Sequence, residues 1–288
     1  MDEKLDQPQT SAEQAGRRVR ASGPILILAF LFLAATFLAW YFTWFGRGLS
    51  DTDITKYLAD EKNPRHVQHA LLQVQQRIER NDTSARTWYP NVLRLSKSPE
   101  TEFRLTVAWL MGFDNHNEDF HTSLKGLLND NEPIVRRNAA LALIRFGDGS
   151  GREELLAVLG PYVVKAPSGG LVASTLHDGA TISRGALLAR IENDSTAPIE
   201  VRSPLPGRIQ QIFKPNGTEV GNEEPLLSLN SDEESIWESL RGLSLIGTQD
   251  DLEAIRVFTT SGDASTRVRK QAEITANAIV LRSSSSKK

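Results

Sequence analysis

The amino-acid sequence predicts an α+β protein in which one transmembrane helix precedes a helical solenoid, and an all-β domain is inserted into that solenoid. Three observations predict this fold class. Residues 24–45 form an uncharged apolar run, a helical pattern recurs at a spacing of 32 residues, and two segments within residues 161–230 share one pattern of glycines and prolines.

The composition is that of a globular protein, and it excludes several functions. Hydrophobic residues make up 40% of the 288 residues and charged residues 24%. The net charge of -3 argues against a nucleic-acid partner, because such proteins normally carry a basic excess or patch. The absence of cysteine excludes disulfides, thiolate metal sites and cysteine nucleophiles.

The apolar run has the length of a membrane-spanning helix. At ~1.5 Å per residue, residues 24–45 would cover the ~30 Å hydrocarbon core of a bilayer. Pro24 and Phe45 bound the run, and Trp40, Tyr41 and Trp44 crowd one end, where an aromatic belt would sit. The run is too long for the apolar region of a signal peptide. The sequence therefore predicts a membrane anchor that contacts lipid through one helix.

Basic residues predict the orientation of this helix. Arg17, Arg18 and Arg20 precede it closely, whereas Arg47 stands alone after it. The positive-inside rule then places residues 1–23, a polar tail predicted to be disordered, in the cytoplasm. We expect a single-pass protein of the bacterial inner membrane, with the bulk of the chain in the periplasm.

Residues 50–160 and 231–283 have the apolar spacing of helices. Arg104 and Arg136 lie 32 positions apart, as do Ala108 and Ala140, and a repeat of this length predicts a solenoid of helix pairs. Because the pattern returns near residue 251, we expect the last helices to pack on the earlier ones. A frayed tail is predicted at residues 284–288.

The repeat resembles the HEAT-repeat family. The resemblance is specific over residues 124–148, fair over 92–112 and weak elsewhere. It is carried by Leu124, Leu127, Leu128, Asp130, Pro133, Val135, Arg136, Ala139, Ala140, Leu143 and Gly147. The resemblance implies helical hairpins that serve as a protein-binding scaffold.

From residue 161 the helical spacing of apolar residues ends. Apolar residues then alternate with polar ones and are interrupted by Gly and Pro, a pattern typical of short strands. Residues 164–191 and 201–229 match each other. The aligned pairs are Ala166-Pro167 with Ser203-Pro204, Gly170 with Gly207, Gly179 with Gly217, Ile182 with Val220, and Leu188 with Leu226. Each half is too small to bury a core alone, so we expect the halves to interlock.

These motifs resemble the biotinyl/lipoyl-like domain, a barrel-sandwich fold. Gly179, Ile182 and Gly185 complete its Gly-x-x-Ile-x-x-Gly motif in the first half, whereas Glu223 replaces the last glycine in the second. In carrier domains of this family a lysine at the hairpin between the halves bears biotin or lipoate. Ser195 or Thr196 stands at that position, and no lysine occurs from Ala166 to Gln211. The resemblance therefore implies no cofactor on this chain.

The family has a second use, in periplasmic adaptor proteins that place an unmodified domain behind a membrane anchor. Those adaptors usually separate the halves by a long helical hairpin that reaches an outer-membrane channel. Here residues 192–200 alone separate them. The missing hairpin puts export through such a channel in doubt.

Catalytic and metal sites are not predicted. His116, Glu118, Asp119 and His121 are close in sequence, but histidines five positions apart do not share a helix face. His66 and His69, three apart, lack a set of carboxylates around them. No nucleophile–base set can be assembled, so we expect a protein that is not an enzyme and has no small-molecule substrate.

Two functions remain open. We expect a non-catalytic, membrane-anchored scaffold or accessory subunit that binds an integral membrane protein complex through its repeats and β-domain. The alternative is an adaptor subunit of an inner-membrane transporter. The candidate partner-binding residues are Trp88, Tyr89, Trp109, Arg136, Arg137 and Trp237. Burial in a helical core is the commoner role of such aromatic residues. Arg136, Arg137 and Arg145 are likewise more typical of a solvated helix face than of a basic ridge.

Overall fold

The computed structural model describes residues 23–44, 48–193 and 196–285, except for the side chains of Ile25, residues 40–44, Thr196 and Ser285. The chain divides into two compact units, Met1–Leu49 and Ser50–Lys288.

The first unit contains one helix, α1 (Gly23–Trp44), whose described apolar side chains are largely exposed. The helices among the described residues include none that is both long enough and apolar enough to cross a membrane. The transmembrane helix in the predicted fold class is therefore wrong for the described part of the chain.

The residues predicted to hold the anchor are only partly described. Pro24 is exposed on α1, but the side chains of Trp40, Tyr41 and Trp44 and the whole of Phe45 lie outside the described residues. The predicted tail at residues 1–23 also lies outside them, apart from Gly23, which begins α1.

The second unit contains ten α-helices among its described residues, seven before the β-domain and three after it. They are α2 (Asp51–Ala59), α3 (Pro64–Glu79), α4 (Tyr89–Leu95), α5 (Thr101–Met111), α6 (Glu118–Leu127), α7 (Pro133–Arg145), α8 (Arg152–Val158), α9 (Glu233–Ile246), α10 (Leu252–Thr260) and α11 (Thr266–Ser285). The frayed tail predicted at residues 284–288 is corrected in part, because α11 continues through Ser285.

Local chemistry sets where these helices begin. Ser50, Asn117 and Asp232 accept a hydrogen bond from a backbone N–H of the first turn of α2, α6 and α9. Pro64 and Pro133 open α3 and α7, where the missing N–H of proline would have no helical acceptor.

Alternate helices pack on one another, so that α5 contacts both α3 and α7, and α7 contacts α9. Their shared faces are fully buried, with Phe103, Val107 and Ala108 on α5 and Ala139 and Ala140 on α7. Small residues let the backbones approach closely. A Cβ atom added at Gly151, just before α8, would lie only 2.6 Å from the Cβ atom of Ala140.

A buried arginine–aspartate pair ties α5 to the loop before α7. Arg104 donates from Nε to Asp130 Oδ2 at 2.6 Å and from Nη2 to Asp130 Oδ1 at 3.0 Å. Its Nη1 also donates to the carbonyls of Ser98 and Pro99 at the preceding turn. Burial alone would raise the pKa of Asp130, but the hydrogen bonds from Arg104 keep that pKa below its ordinary value.

Arg136 repeats this arrangement one period later. Its Nη1 donates to the carbonyls of Asp130 and Asn131, five and six positions earlier, as Arg104 does to its own turn. Its Nε donates to Glu154 Oε2 at 3.0 Å. The 32-residue repeat therefore extends from sequence to side-chain contacts, whereas membership of the HEAT family stays a prediction.

The helical body continues across the β-domain. Ala140 of α7 and Leu155 of α8 share one core with Leu240 and Leu243 of α9 and with Ile279 of α11. The helices after the β-domain therefore pack on those before it, which is the arrangement that we expect from the returning repeat.

The β-domain comprises eight strands in two four-stranded sheets. The strands are β1 (Tyr162–Lys165), β2 (Gly170–Ala173), β3 (Thr181–Ile182), β4 (Leu187–Asn193), β5 (Thr196–Arg202), β6 (Gly207–Ile212), β7 (Glu219–Val220) and β8 (Pro225–Ser231). The sheet orders are β1-β8-β6-β3 and β5-β4-β2-β7, and all pairs are antiparallel. Exchanging β1–β4 for β5–β8 converts one order into the other, so each sheet takes strands from both halves.

Two aligned glycines sit where neighbouring strands come closest. A Cβ atom at Gly170 would lie 2.4 Å from the carbonyl oxygen of Glu192, and one at Gly207 would lie 2.3 Å from that of Asn230. No side chain fits at either position without moving a backbone, which explains why both halves have glycine there.

The turns of the two halves also correspond. Gly179 and Gly217 have φ angles of 83° and 79°, and Gly185 has 79°. Glu223, which replaces the last glycine of the motif, has a φ angle of 60° and so keeps the left-handed conformation. The turn therefore keeps its geometry although Glu223 departs from the sequence motif. A residue with a side chain is less stable than glycine in this left-handed conformation.

Substitution of Gly170 by alanine is expected to lower the free energy of unfolding by about 2–3 kcal/mol, because the new Cβ atom meets the Glu192 carbonyl. Gly185→Ala is the matched control, since its φ angle is also positive but no atom lies within 4 Å of the added Cβ. It should cost about 1 kcal/mol. Urea unfolding followed by circular dichroism measures both, and equal losses would contradict the steric explanation.

Substitution of Arg104 by alanine is expected to cost about 3 kcal/mol, because it leaves the carboxylate of Asp130, 6% exposed, buried without its counterion. Arg190→Ala removes an ion pair to Glu200 whose partners are 51% and 38% exposed, and it should cost less than about 1 kcal/mol. Chemical denaturation of both variants tests this, and a loss at Arg104 as small as the control would show that the pair is not a structural link.

Candidate functional site

An open groove of about 470 Å³ is lined by residues of four helices. These helices are α5, α7, α9 and α11, and each packs on the next in that order. Its apolar lining comes from Trp109, Leu141, Ile144, Gly242 and Leu245. Arg145, Glu238, Arg241, Ser244 and Gln271 supply the polar groups. We call this feature the arginine groove.

The floor of the arginine groove depends on a glycine. A Cβ atom at Gly242 would lie 2.5 Å from Ile144 Cδ1 and 2.8 Å from Leu155 Cδ1, so only glycine lets α9 come this close to α7 and α8. One turn later on the same helix, Leu245 is 64% exposed. The result is a well-packed floor with one large apolar side chain left in solvent.

Arg145 lies against two aromatic rings of α5 and its C-terminal turn. Its Cζ atom is 4.9 Å from the ring centroid of Trp109 and 4.5 Å from that of Phe113. The two rings meet edge to face at 5.7 Å. This cation–π contact holds the guanidinium group against the rings, and the described residues give the Arg145 side chain no hydrogen-bond acceptor.

Arg241 is held in the same manner on the other side of the groove. Its Cζ atom is 4.8 Å from the Trp237 ring, and Arg267 covers that ring at 3.9 Å. The donors of Arg267 are occupied, because it forms two hydrogen bonds to the carboxylate of Glu234. Neither Arg145 nor Arg241 has a comparable carboxylate partner within the described part of the chain.

Charges in the groove act on one another. Partial burial lowers the pKa of Arg145, Glu79 acts in the opposite direction, and the positive charge of Arg241 lowers it further. Burial and the neighbouring Glu234 raise the pKa of Glu238, which Arg241 partly offsets. Glu238 also raises the pKa of Arg145. The lining of the groove therefore carries two arginines and one carboxylate, that of Glu238.

The predicted aromatic residues divide into two groups. Trp109 lines the arginine groove, and Trp237 supports Arg241 beside it. Trp88 and Tyr89 lie in the core, 1% and 8% exposed, where Trp88 donates to Thr55 Oγ1 and Tyr89 to Asp114 Oδ2. The prediction that Trp88 and Tyr89 bind a partner is corrected, because neither side chain is accessible.

Arg136 and Arg137, two candidate partner-binding residues, do not form a basic ridge with Arg145. Arg136 is engaged by Glu154 and by loop carbonyls. Arg137 is only 6% exposed and lies where the β-domain joins the helices, with Nη2 3.5 Å from Ser231 Oγ. Within the described residues its Nε and Nη1 have no partner. Neither arginine is available to a partner, whereas Arg145 faces the arginine groove.

Sequence reasoning missed Arg241 and Leu245. Trp237, Arg241 and Leu245 are spaced by four positions, which places them on one face of α9. That spacing could have identified the shared face of α9 from the sequence. Which residues of α5 and α7 lie beside this face depends on tertiary packing, so those neighbours could not be identified in the same way.

The hairpin between the halves of the β-domain is the second site to test, because carriers of this type attach their cofactor there. Strands β4 and β5 pair up to Asn193 and Thr196, so only two residues of the sequence connect the paired positions. Ser195 and the Thr196 side chain lie outside the described residues, but their identities exclude an amide-forming amine. Lys165 and Lys214 lie on or beside other strands, near Glu223 and Glu224. The residues present do not fit attachment of biotin or lipoate.

The histidines considered as metal ligands serve as helix-end contacts. His121 Nε2 lies 2.7 Å from Asp148 Oδ2, its Nδ1 lies 3.5 Å from Glu118, and its ring stacks on Phe146 at 5.1 Å. His66 likewise lies 2.9 Å from Asp60 and stacks on Tyr57. The described residues hold no cluster of three or more groups able to bind a metal ion.

Comparison with known proteins bears on the β-domain. Residues 160–229 match the family model described as "Biotin-requiring enzyme". The predicted biotinyl/lipoyl-like domain is thereby confirmed, within one residue of the predicted bounds. No curated protein matches the chain.

Solved structures give further likenesses, 22 chains in all. A crystal structure of an engineered protein shares 15% identity over 79% of this chain and 78% of that chain, with a TM-score of 0.39. A single-chain, multi-domain long-chain acyl-CoA carboxylase shares 20% identity over 43% of this chain, with a TM-score of 0.24. This chain covers 13% of that carboxylase.

The lowered pKa of Asp148 predicts that the stability of the fold decreases in acid. Burial alone would raise this pKa, but hydrogen bonds from Ser150 and His121 lower it to about 2, from an ordinary 3.8. A lowered carboxyl pKa stabilises the fold above the unfolded pKa, near pH 4, and the stabilisation is lost as the pH falls toward 2. Asp148→Asn should therefore lose about 1–2 kcal/mol at pH 7 and show a flatter profile between pH 4 and pH 2.

Denaturation at several pH values measures this difference. The control is Asp263→Asn, at an exposed aspartate, which should leave both the stability and its pH profile unchanged. A wild-type profile identical to that of Asp148→Asn would contradict the assignment.

Proposed function

We propose that this chain is a non-catalytic scaffold that binds a partner protein in the arginine groove, with its biotinyl/lipoyl-type domain serving as an unmodified docking module. The observation that carries the proposal is the groove itself. It combines an exposed leucine with two tryptophan-supported arginines on a rigid helical floor.

The residue types of the arginine groove favour a protein ligand. Tryptophan and arginine are enriched among the residues that dominate binding energies at protein interfaces. Leu245, 64% exposed, would be covered by a partner and would contribute about 1.5–3 kcal/mol on full burial. The groove volume lies in the range that accommodates a few side chains.

The shared core of α7, α8, α9 and α11 supports a binding role, because it makes the groove walls one body. A pre-formed surface loses little conformational entropy on binding. The β-domain is inserted in the chain between α8 and α9 and offers a second surface. Without a lysine at its hairpin it has no means of carrying a covalently bound group between active sites.

The alternative, an adaptor that reaches an export channel, has less support. Such adaptors depend on a long helical hairpin between the two halves of this domain, and here β4 pairs with β5 up to Asn193 and Thr196. We therefore favour the scaffold.

Site-specific photo-crosslinking in the source cells tests the proposed function. A photoreactive residue at Leu245 should give a discrete adduct with one partner protein. The same residue at Val257, which is 61% exposed on α10 and does not line the groove, should not give that adduct. An additional Trp109→Ala substitution should weaken the Leu245 adduct severalfold. No adduct at Leu245, or the same adducts at both positions, would contradict a binding role for the groove.

A further inference from the structure

We propose that the arginine groove recognises side-chain carboxylates on an acidic, amphipathic helix of the partner, which Arg145 and Arg241 bind from opposite sides. This inference rests on the proposed function and specifies the chemistry of its ligand.

The donors of these two arginines are available. Both guanidinium groups lie over tryptophan rings, and the described residues give neither side chain a hydrogen-bond acceptor. Arg267, which stacks on the same Trp237, shows the geometry that an acceptor adopts, since it forms hydrogen bonds of 2.6 and 3.1 Å to Glu234. A partner carboxylate would accept hydrogen bonds from Arg145 and Arg241 as Glu234 accepts them from Arg267.

The charge balance of the groove favours an anion. Two arginines, Arg145 and Arg241, line it against a single carboxylate. Glu238 also lines the groove, but it makes no ion pair with either arginine within the described residues. A partner carboxylate bound by either guanidinium group would form charge-assisted hydrogen bonds.

The surroundings favour a side-chain carboxylate on a helix over a chain-terminal carboxylate. Terminal carboxylates are typically captured by turns of free backbone N–H groups. Here the donors are side chains on helices whose backbone N–H groups are already bonded. The apolar floor, with Leu141, Ile144 and Leu245, requires apolar residues beside the acid, and an amphipathic helix presents both at intervals of three and four.

The helices of the groove set the length of the ligand. Packed helices lie ~8–10 Å apart, so α5 to α11 spans roughly 24–30 Å. A helix of about 18 residues covers about 27 Å. The test peptide is therefore an amidated helix of about 18 residues with a leucine stripe flanked by glutamates at i and i+4.

Fluorescence anisotropy with the full-length protein measures binding of this peptide. The comparison peptides replace every glutamate by glutamine, one with an amidated and one with a free C-terminus. The glutamate peptide should bind at least about 10-fold more tightly than either, and its affinity should fall with added salt.

The variants assign the effect to the two arginines. Arg145→Gln and Arg241→Gln should each weaken binding of the glutamate peptide about 10-fold and leave the glutamine peptides unaffected. Arg145→Lys should recover only part of the loss, because it keeps the charge and not the planar fork. Arg256→Gln, on α10 outside the groove, is the control. Thermal unfolding confirms that each variant folds.

Other outcomes separate this inference from the proposed function. Equal affinity for glutamate and glutamine peptides, or equal losses in all variants, overturns recognition of a carboxylate and leaves an apolar docking groove. Tight binding of only the free C-terminal peptide overturns the side-chain source. Failure of every peptide to bind overturns this inference, and the Leu245 crosslink then decides independently whether the groove binds a partner.

Discussion

The antiparallel pairing of β1 with β8 is the constraint on which the rest of the structure depends. It sets Tyr162 opposite Leu229, so the chain leaves the β-domain beside the point where it enters. Because the two ends meet, α8 and α9 pack as neighbours although about 75 residues separate them. The arginine groove has walls from both sides of the insertion, and it exists only because this pairing closes the β-domain.

The internal symmetry of the β-domain explains how one fold serves two purposes. The exchange of halves that converts one sheet into the other also relates the β4–β5 pairing to the β8–β1 pairing. A carrier uses the β4–β5 connection for its lysine. This chain has no lysine there and uses the equivalent end, β8 with β1, to join a helical body. The family fold is kept by its glycine turns, including the left-handed backbone of Glu223, and not by its cofactor.

Features that depend on neighbouring residues in the chain could be predicted from the sequence. Gly179, Gly185 and Gly217 mark turns whose φ angles only glycine adopts easily, so the bounds of the β-domain were within reach. Arg104 and Arg136 donate hydrogen bonds to backbone carbonyls of the turn that precedes each of them. Because these contacts are local, their 32-residue period could be recognised in the sequence. The solvent exposure of individual side chains could not be predicted in this way, because it depends on which helices pack together. The apolar run at residues 24–45 shows the same limit, since its predicted membrane-spanning role lacks support in the described helix.

The tryptophans show how a correct residue type can have a different role from the one predicted. A large aromatic ring was expected to bind a partner itself. In the arginine groove, Trp109 and Trp237 instead lie under the guanidinium groups of Arg145 and Arg241. A free arginine side chain loses up to ~2 kcal/mol of rotamer entropy when a ligand fixes it. Stacking meets part of that cost before the ligand arrives, so the groove presents two oriented cations where an unsupported surface would present two mobile ones.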